Sequence, residues 1–447
     1  MRLNKITFLL VFTFVFSAKF FAQNEEVDGI LFKDEAAALV LENNFEIQIS
    51  ENNVNIADNN QSILNSGYLP TLSTNLGFDY SMDDRLAEVE GQEPRDQNDL
   101  ETRAYAADLN LNYTIFDGLG RLYNYRSLKE QYNLSQLQAR ETIENTLIQM
   151  FTVYYEVARL YENVEILEQT LEISNKRVKR AKYQFEFGQN SKLVSLNAEV
   201  DAANDSINLI DARQNLDNTK RDLMLILNAE MEDDFKVDTL ITFTPELQIE
   251  QYIDDAEQNN VSILQTEKNL TISEFDIKIG RSGYFPTVDL FGSYGWNRNI
   301  SPESPFFPAS TQTTSGYAAG VSLSWNLFDG GQTAVRIQNA KIDYANQELQ
   351  KKQIQLQVKR DISNAFNNYK NRLYIYQLQE KNVITNKNNF ERSREQFNIG
   401  QITSIEFRQA QINLINAQTS KNLAKYDAKI AELQLLQLTG QLLNINF

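Results

Sequence analysis

Two short stretches of the chain carry residue types at spacings that could do chemistry. Residues 108–112, Asp-Leu-Asn-Leu-Asn, put side-chain oxygens at the first, third and fifth positions, as the start of a calcium-binding loop does. Such a loop needs glycine at its sixth position for the sharp turn, and Tyr113 stands there. Residues 118–123, Gly-Leu-Gly-Arg-Leu-Tyr, open like a dinucleotide-binding turn, but they lack its third glycine and its strand–helix–strand setting. Composition excludes more. The 447 residues contain no histidine and no cysteine. That removes the commonest general base, the commonest transition-metal ligand, thiolate nucleophiles, disulfides and N-terminal lipidation on cysteine. With no convergent acid–base set left, the sequence predicts no enzyme, no metal and no cofactor. A net charge of −18 argues against a nucleic-acid partner, because phosphate binding needs a basic face.

Both stretches make better sense as parts of larger elements. Asp108, Asn110, Asn112 and Thr114 form one face of an alternating run whose other face is Tyr105, Ala107, Leu109, Leu111, Tyr113 and Ile115. A second run sets Tyr317, Ala319, Val321, Leu323, Trp325 and Leu327 against Ala318, Gly320, Ser322, Ser324 and Asn326. The residues after Pro70 and Pro286 alternate too, with Leu72, Leu76, Phe78 and Tyr80 on one face, and Val288, Leu290, Tyr294 and Trp296 on the other copy's; Phe291 falls on the wrong face. Alternation over about ten residues with aromatics near the ends is the pattern of a transmembrane β-strand. It predicts strands at about 70–82, 104–116, 286–298 and 317–329. Four strands cannot close a barrel, and lipid tolerates no open edge, so several chains must contribute.

Those strands belong to a duplication. Ser-Gly-Tyr-Leu-Pro-Thr (66–71) returns as Ser-Gly-Tyr-Phe-Pro-Thr (282–287), and Phe116-Asp117-Gly118 returns as Phe328-Asp329-Gly330. The offset falls from 216 residues at Pro70 and Pro286 to 212 at Phe116 and Phe328, which places four extra residues in the first copy, within the polar stretch 87–103. After each Phe-Asp-Gly the period becomes helical and holds for about 70 residues, or roughly 100 Å of helix. Tyr154, Val157, Tyr161, Val164, Leu171, Val178 and Phe185 make a heptad seam. Phe366, Tyr369, Leu373, Tyr376, Val383, Phe390 and Phe397 repeat it. Polar residues interrupt both seams at matching places: Glu168 and Glu380, Asn175 and Lys387, Lys182 and Arg394. Gly188 and Gly400 break these helices, and second helical runs follow at 193–227 and 405–438.

Residues 1–22 read as a secretory signal, with Arg2 and Lys5 ahead of an apolar run at 6–16 that is too short for a membrane span. The expected organisation is therefore a signal peptide (1–22), a first repeat (23–227), a middle segment (228–262) and a second repeat (263–447).

The duplicated corners, the duplicated turns Ile115–Gly120 and Leu327–Gln332, and the paired tips at 185–200 and 397–412 resemble the TolC-like outer membrane efflux proteins over essentially the whole mature chain. The resemblance implies a mixed membrane fold: a trimeric 12-stranded transmembrane β-barrel, four strands per chain, continued by a periplasmic α-helical barrel of coiled-coil hairpins. It implies a belt formed by 228–262 with the two chain ends. It implies a passive exit channel in the outer membrane of a Gram-negative bacterium, fed by a periplasmic adaptor protein and an inner-membrane transporter, with no nucleotide site. The same channel serves as the exit duct for type I protein secretion, and the sequence does not separate the two. A structural coiled-coil envelope protein is the reading from another class; it predicts no barrel.

Carried over by position, the family's ring of acidic residues at the periplasmic aperture falls on Glu406 and Gln409, of which only the first is acidic. Three converging carboxylates would favour hydrated cations. The family's polar latch falls on Phe397, Ile402 and Val194, so if this channel closes, apolar packing at the tip is the expected lock. Gly188, Gln189, Gly400 and Gln401 would form the adaptor-docking tips. The barrel–tunnel junction would take in Gly67, Tyr68, Pro70, Asp117 and Gly118 from the first copy and Gly283, Tyr284, Pro286, Asp329 and Gly330 from the second. In that reading Gly67 and Gly283 end helices, Pro70 and Pro286 start strands, and the tyrosines suit a lipid headgroup region.

Overall fold

The computed structural model describes residues 29–88, 90–91, 93–229, 235–304 and 307–444; the expected signal peptide lies outside them. In chain order the first repeat comprises β1 (Ile30–Leu31), α1 (Lys33–Asn43), α2 (Phe45–Asn60), β2 (Thr71–Ala87), β3 (Arg95–Phe116), α3 (Gly120–Glu186) and α4 (Lys192–Leu227). The middle segment supplies β4 (Lys236–Val237), α5 (Glu246–Asp254) and α6 (Ala256–Asn259). The second repeat comprises α7 (Val261–Ser282), β5 (Thr287–Ser301), β6 (Ser310–Ser324), α8 (Gln332–Asn398) and α9 (Ser404–Leu438).

Strands β2, β3, β5 and β6 form one antiparallel sheet in that order, so the two repeats join through β3 and β5. The register carries one polar row after another across it: Asn75, Asp108, Gly295 and Gly316 are successive partners, as are Ser73, Asn110, Ser293 and Ala318. The opposite face aligns Leu72 with Leu111, Phe78 with Tyr105, Leu109 with Tyr294, and Tyr294 with Tyr317. That apolar face is open: Leu76 is 80% and Tyr317 90% exposed. Phe291, the aromatic out of phase, pairs with Gly320, where an added Cβ would lie 2.8 Å from its ring. A glycine partner makes room for it.

Three strand expectations change. Strand β2 runs on beyond 82 to Ala87 and β3 begins before 104, at Arg95, so the larger part of 87–103 is strand. Those residues are polar on both faces, which hides a strand from an alternation test. The last strand is displaced, spanning 310–324 and not 317–329. Its partner β5 starts at Thr287 opposite Ser324, so Trp325 onward has nothing to pair with, and the Trp325 indole donates to the Tyr284 carbonyl instead (3.2 Å).

Helices α3 and α8 have 67 residues each, roughly 100 Å. Each packs antiparallel on its shorter successor, α3 on α4 and α8 on α9. The heptad seam is the buried face: Tyr154, Val157 and Val164 are buried, as are Tyr369 and Phe390. Its polar interruptions sit on the half-exposed flank, where Glu168 pairs with Arg213 and Lys182 with Glu199. The largest core lies part-way along the helices, where β1 pairs with β4 in parallel and Leu31, Val40, Phe151, Tyr154, Val237 and Leu436 pack together. The Tyr154 hydroxyl donates to the Leu31 carbonyl (2.7 Å) and accepts from the Asp238 amide (3.0 Å), tying the chain's beginning and middle to α3. Among the described residues no helix is long and apolar enough to cross a membrane.

Candidate functional site

Two places carry the residues singled out above: the junctions between sheet and helices, and the hairpin tips. At the junctions each Phe-Asp-Gly is a helix start. The Asp117 carboxylate accepts from the Arg121 amide (2.8 Å) and from its Nε (3.2 Å). Asp329 accepts from the amides of Gly331 (2.9 Å) and Thr333 (2.8 Å). The first residues of a long helix have unpaired N–H groups, and these aspartates satisfy them. Gly118 lies at φ +69°, and a Cβ there would meet the Ser282 carbonyl oxygen at 2.6 Å, so only glycine lets α3 start against the end of α7. Gly330 holds the same left-handed conformation in open space.

The two corners that read alike fold differently. Gly283 caps α7 in a right-handed conformation (φ −62°). Gly67 ends no helix: α2 stops at Asn60, and a single 3-10 turn over Ile63–Asn65 follows. Ser62 accepts from the Leu64 amide and Ser66 bonds the Ile63 carbonyl, side-chain bonds that compete with helix. Gly67 then turns at φ +74°, its carbonyl receiving Arg121 (2.8 Å), which also covers the Tyr68 ring. Tyr284 is exposed. Pro70 and Pro286 immediately precede β2 and β5.

At the tips, Gly188 (φ +70°) and Gly400 (φ +80°) reverse the chain with the same bonds. Gln189 donates to the Gln184 carbonyl and Gly188 to Phe185; Gln401 donates to Gln396 and Gly400 to Phe397. This is the left-handed helix stop that glycine allows. The return helices start unequally. Thr403 and Glu406 form a reciprocal cap on α9: the Glu406 amide donates to Thr403 Oγ1 (3.2 Å) and the Thr403 amide to Glu406 Oε2 (2.7 Å). These bonds, from the Thr403 amide first and its hydroxyl second, hold the Glu406 carboxyl below the ordinary glutamate value. Thr403-Ser404-Ile405-Glu406 is the sequence signature of that cap, and it identifies Glu406 as a helix-capping residue. In the first tip Ser191 caps α4 with no side-chain bond, and Val194 stands where Glu406 does. Gln409 is exposed and donates to Asn413 (2.9 Å).

Phe397 and Ile402 do pack at the tip, inside one chain. Phe397 stacks on Phe407 at 4.8 Å with planes 4° apart, Phe407 stacks on Phe390, and Ile402 and Ile173 border the cluster. Arg180 of the first hairpin lies over the Phe397 ring and donates to both oxygens of Asn398 (2.9 Å each).

Beside this cluster is a buried polar network that sequence reasoning missed. Arg408 of α9 makes a fork to Asp205 of α4 (2.7 and 2.8 Å), and Ser174 of α3 donates to the same carboxylate (2.5 Å). Gln411 donates to the Thr170 carbonyl (3.2 Å), and Arg177 pairs with Asp201. Asp205, Arg177 and Gln411 are all buried. The network fastens the second hairpin to the first. Among the described residues no group of three or more acidic side chains could hold a metal ion.

This architecture has relatives. The sequence profile of the Outer membrane efflux protein family matches residues 37–229 and 252–441. Outer membrane protein TolC of Vibrio cholerae is 22% identical over 382 residues, covering 84% of this chain and 83% of that one. The outer membrane efflux protein BepC of Brucella suis is 21% identical, covering 94% and 86%. The crystal structure of the Campylobacter jejuni CmeC outer membrane channel superposes with a TM-score of 0.74 at 15% identity, over 92% of this chain and 86% of that one. A duplicated four-stranded sheet carried on two long helical hairpins, matched by the family profile over most of its length, makes this chain a member of the outer membrane efflux protein family.

Proposed function

We propose that this protein is the passive exit channel of a tripartite efflux pump, conducting small molecules across the outer membrane of a Gram-negative bacterium. The carrying observation is the sheet, which is apolar and exposed on one face, polar on the other, and open at β2 and β6. Lipid tolerates such a sheet only closed by further copies. Three copies would give twelve strands and set the Asn75–Asp108 row on the wall of an aqueous pore. The helical hairpins would then extend into the periplasm as a tunnel, with the cargo delivered by an adaptor protein and an inner-membrane transporter. Conduction needs no catalytic group.

The tips would be the gated, adaptor-docking end, with Gly188, Gln189, Gly400 and Gln401 at the reversals and Glu406 from each copy near the axis. The intrachain cluster of Phe397, Phe407 and Ile402 supports a lock made by packing. The test is planar-bilayer recording of the purified protein. Discrete conductance steps with cation preference are expected, and Glu406→Gln should weaken that preference; absence of any steps would exclude a channel. Phe397→Ala and Ile402→Ala should raise the open probability, and unchanged conductance in both would remove the packed lock.

A further inference from the structure

Between the two tips lies a cavity of about 790 Å³. Its wall carries three guanidiniums, Arg177, Arg180 and Arg408, against one carboxylate, Asp201. Arg180 is engaged by Asn398, and the fork of Arg408 is taken by Asp205. Arg177 is different. It is 3% exposed, and only its Nη2 has an acceptor, Asp201; Nε and Nη1 are buried without one. Arg408 Nε is also buried without an acceptor, 3.9 Å from the nearest Asp201 oxygen. Burial pulls the Arg177 guanidinium below its ordinary value against the attraction of Asp201.

Buried N–H donors on a cation carry a full desolvation cost, so this wall favours an incoming acceptor, above all a charged one. Apolar side chains line the same recess, Val194, Val200, Ile402 and Ile405 among them, and Ile405 is 74% exposed. The recess is cationic although the chain as a whole carries a net charge of −18. A recess with a cationic wall and an apolar lining complements a carboxylate flanked by apolar side chains, which a protein segment supplies and a free inorganic anion does not.

We propose that the cavity between the tips receives an aspartate or glutamate side chain from a partner protein, with Arg177 as its main receptor. The inference rests on the channel reading above, in which the tips meet another protein.

The test uses the full-length assembly in detergent and two fluorescent 20-residue helical peptides, identical except for one central Asp or Asn between leucines, read by anisotropy. The Asp peptide should bind wild type about tenfold tighter than the Asn peptide, a difference of one charge-assisted contact. In Arg177→Met that preference should fall below about twofold, and Arg177→Lys should retain part of it. Equal binding of both peptides to wild type overturns the proposal, and that arm stands even if a variant fails to fold. Preference for the Asp peptide that persists in folded Arg177→Met overturns it too. If sodium sulfate raises the melting temperature of wild type more than that of Arg177→Met while the peptides bind alike, the recess serves a free anion and the partner reading is lost. Bilayer conductance measured in parallel separates the two levels: steps without peptide discrimination leave the channel and remove only this inference.

Discussion

The two tips descend from one sequence, reverse through the same glycine, and yet hold themselves by different means. Gly188 and Gly400 make identical backbone bonds. At the 212-residue offset, however, Val194 corresponds to Glu406, Ser195 to Phe407 and Leu196 to Arg408. The second tip therefore has a reciprocal cap, an aromatic stack and a buried fork. The first has none of the three, and receives the fork through Asp205, whose own counterpart is Ala417. Duplication supplied the geometry, and three consecutive substitutions made one tip the anchor and the other its receptor.

Breaking the fork should give the largest effect. Arg408→Ala leaves the Asp205 carboxylate buried without its cation and should lower unfolding stability by about 3–5 kcal/mol, whereas Leu196→Ala at the matching place should cost far less. Denaturant melts at one fixed protein concentration check this, since an assembly's stability depends on concentration. Phe407→Ala comes next, at about 3 kcal/mol from lost stacking and a cavity, against little for Ser195→Ala.

The shared glycines should respond alike: Gly188→Ala and Gly400→Ala each cost about 1–2 kcal/mol, because both are left-handed with open space around an added Cβ. A large difference between them would mean that the reversals are not equivalent. Thr403→Ala should remove about 1 kcal/mol of cap, and Ser191→Ala almost nothing. The smallest effect is a pH effect. Since the folded Glu406 carboxyl titrates below its unfolded value, its contribution is present above the unfolded value and is lost as pH falls through the folded one. Amide protection factors at the start of α9, taken relative to the intrinsic exchange rate at each pH, should therefore fall in acid, while the start of α4, with Val194 in place of Glu406, should show no matching change.

Much of the architecture was legible because it is periodic. Alternation exposed the membrane-facing rows, the heptad seam fixed the buried faces of α3 and α8, and Gly188 and Gly400 marked the reversals. Expectation failed where periodicity carries no information. The outer ends of β2, β3 and β6 are polar on both faces, and β6 ends where its partner ends, a fact of pairing and not of its own sequence. Ser-Gly-Tyr at 66–68 and 282–284 is one string with two conformations, since Ser62 and Ser66 unwind the first. The fork joins residues 203 apart, each unremarkable on its own helix. The reciprocal cap is different: Thr403 and Glu406, three residues apart ahead of a helical run, carry its signature in the sequence itself.

The unbroken length of α3 has a mechanical consequence. The helix is gripped at Tyr154 by Leu31 of β1 and the Asp238 amide after β4, and holds the network at Ser174, roughly 30 Å further on at ~1.5 Å per residue. A stiff rod pivoting at its grip moves about 0.5 Å per degree at that distance, and a hydrogen bond is lost after about 0.7 Å of stretch beyond 2.8 Å. The Ser174 bond to Asp205 starts at 2.5 Å, so about two degrees of lean of α3 against α4 would part them. The grip at Tyr154 is a fulcrum, and α3 is a lever that turns a tilt too small to disturb a packed core into the loss of a buried hydrogen bond to a carboxylate.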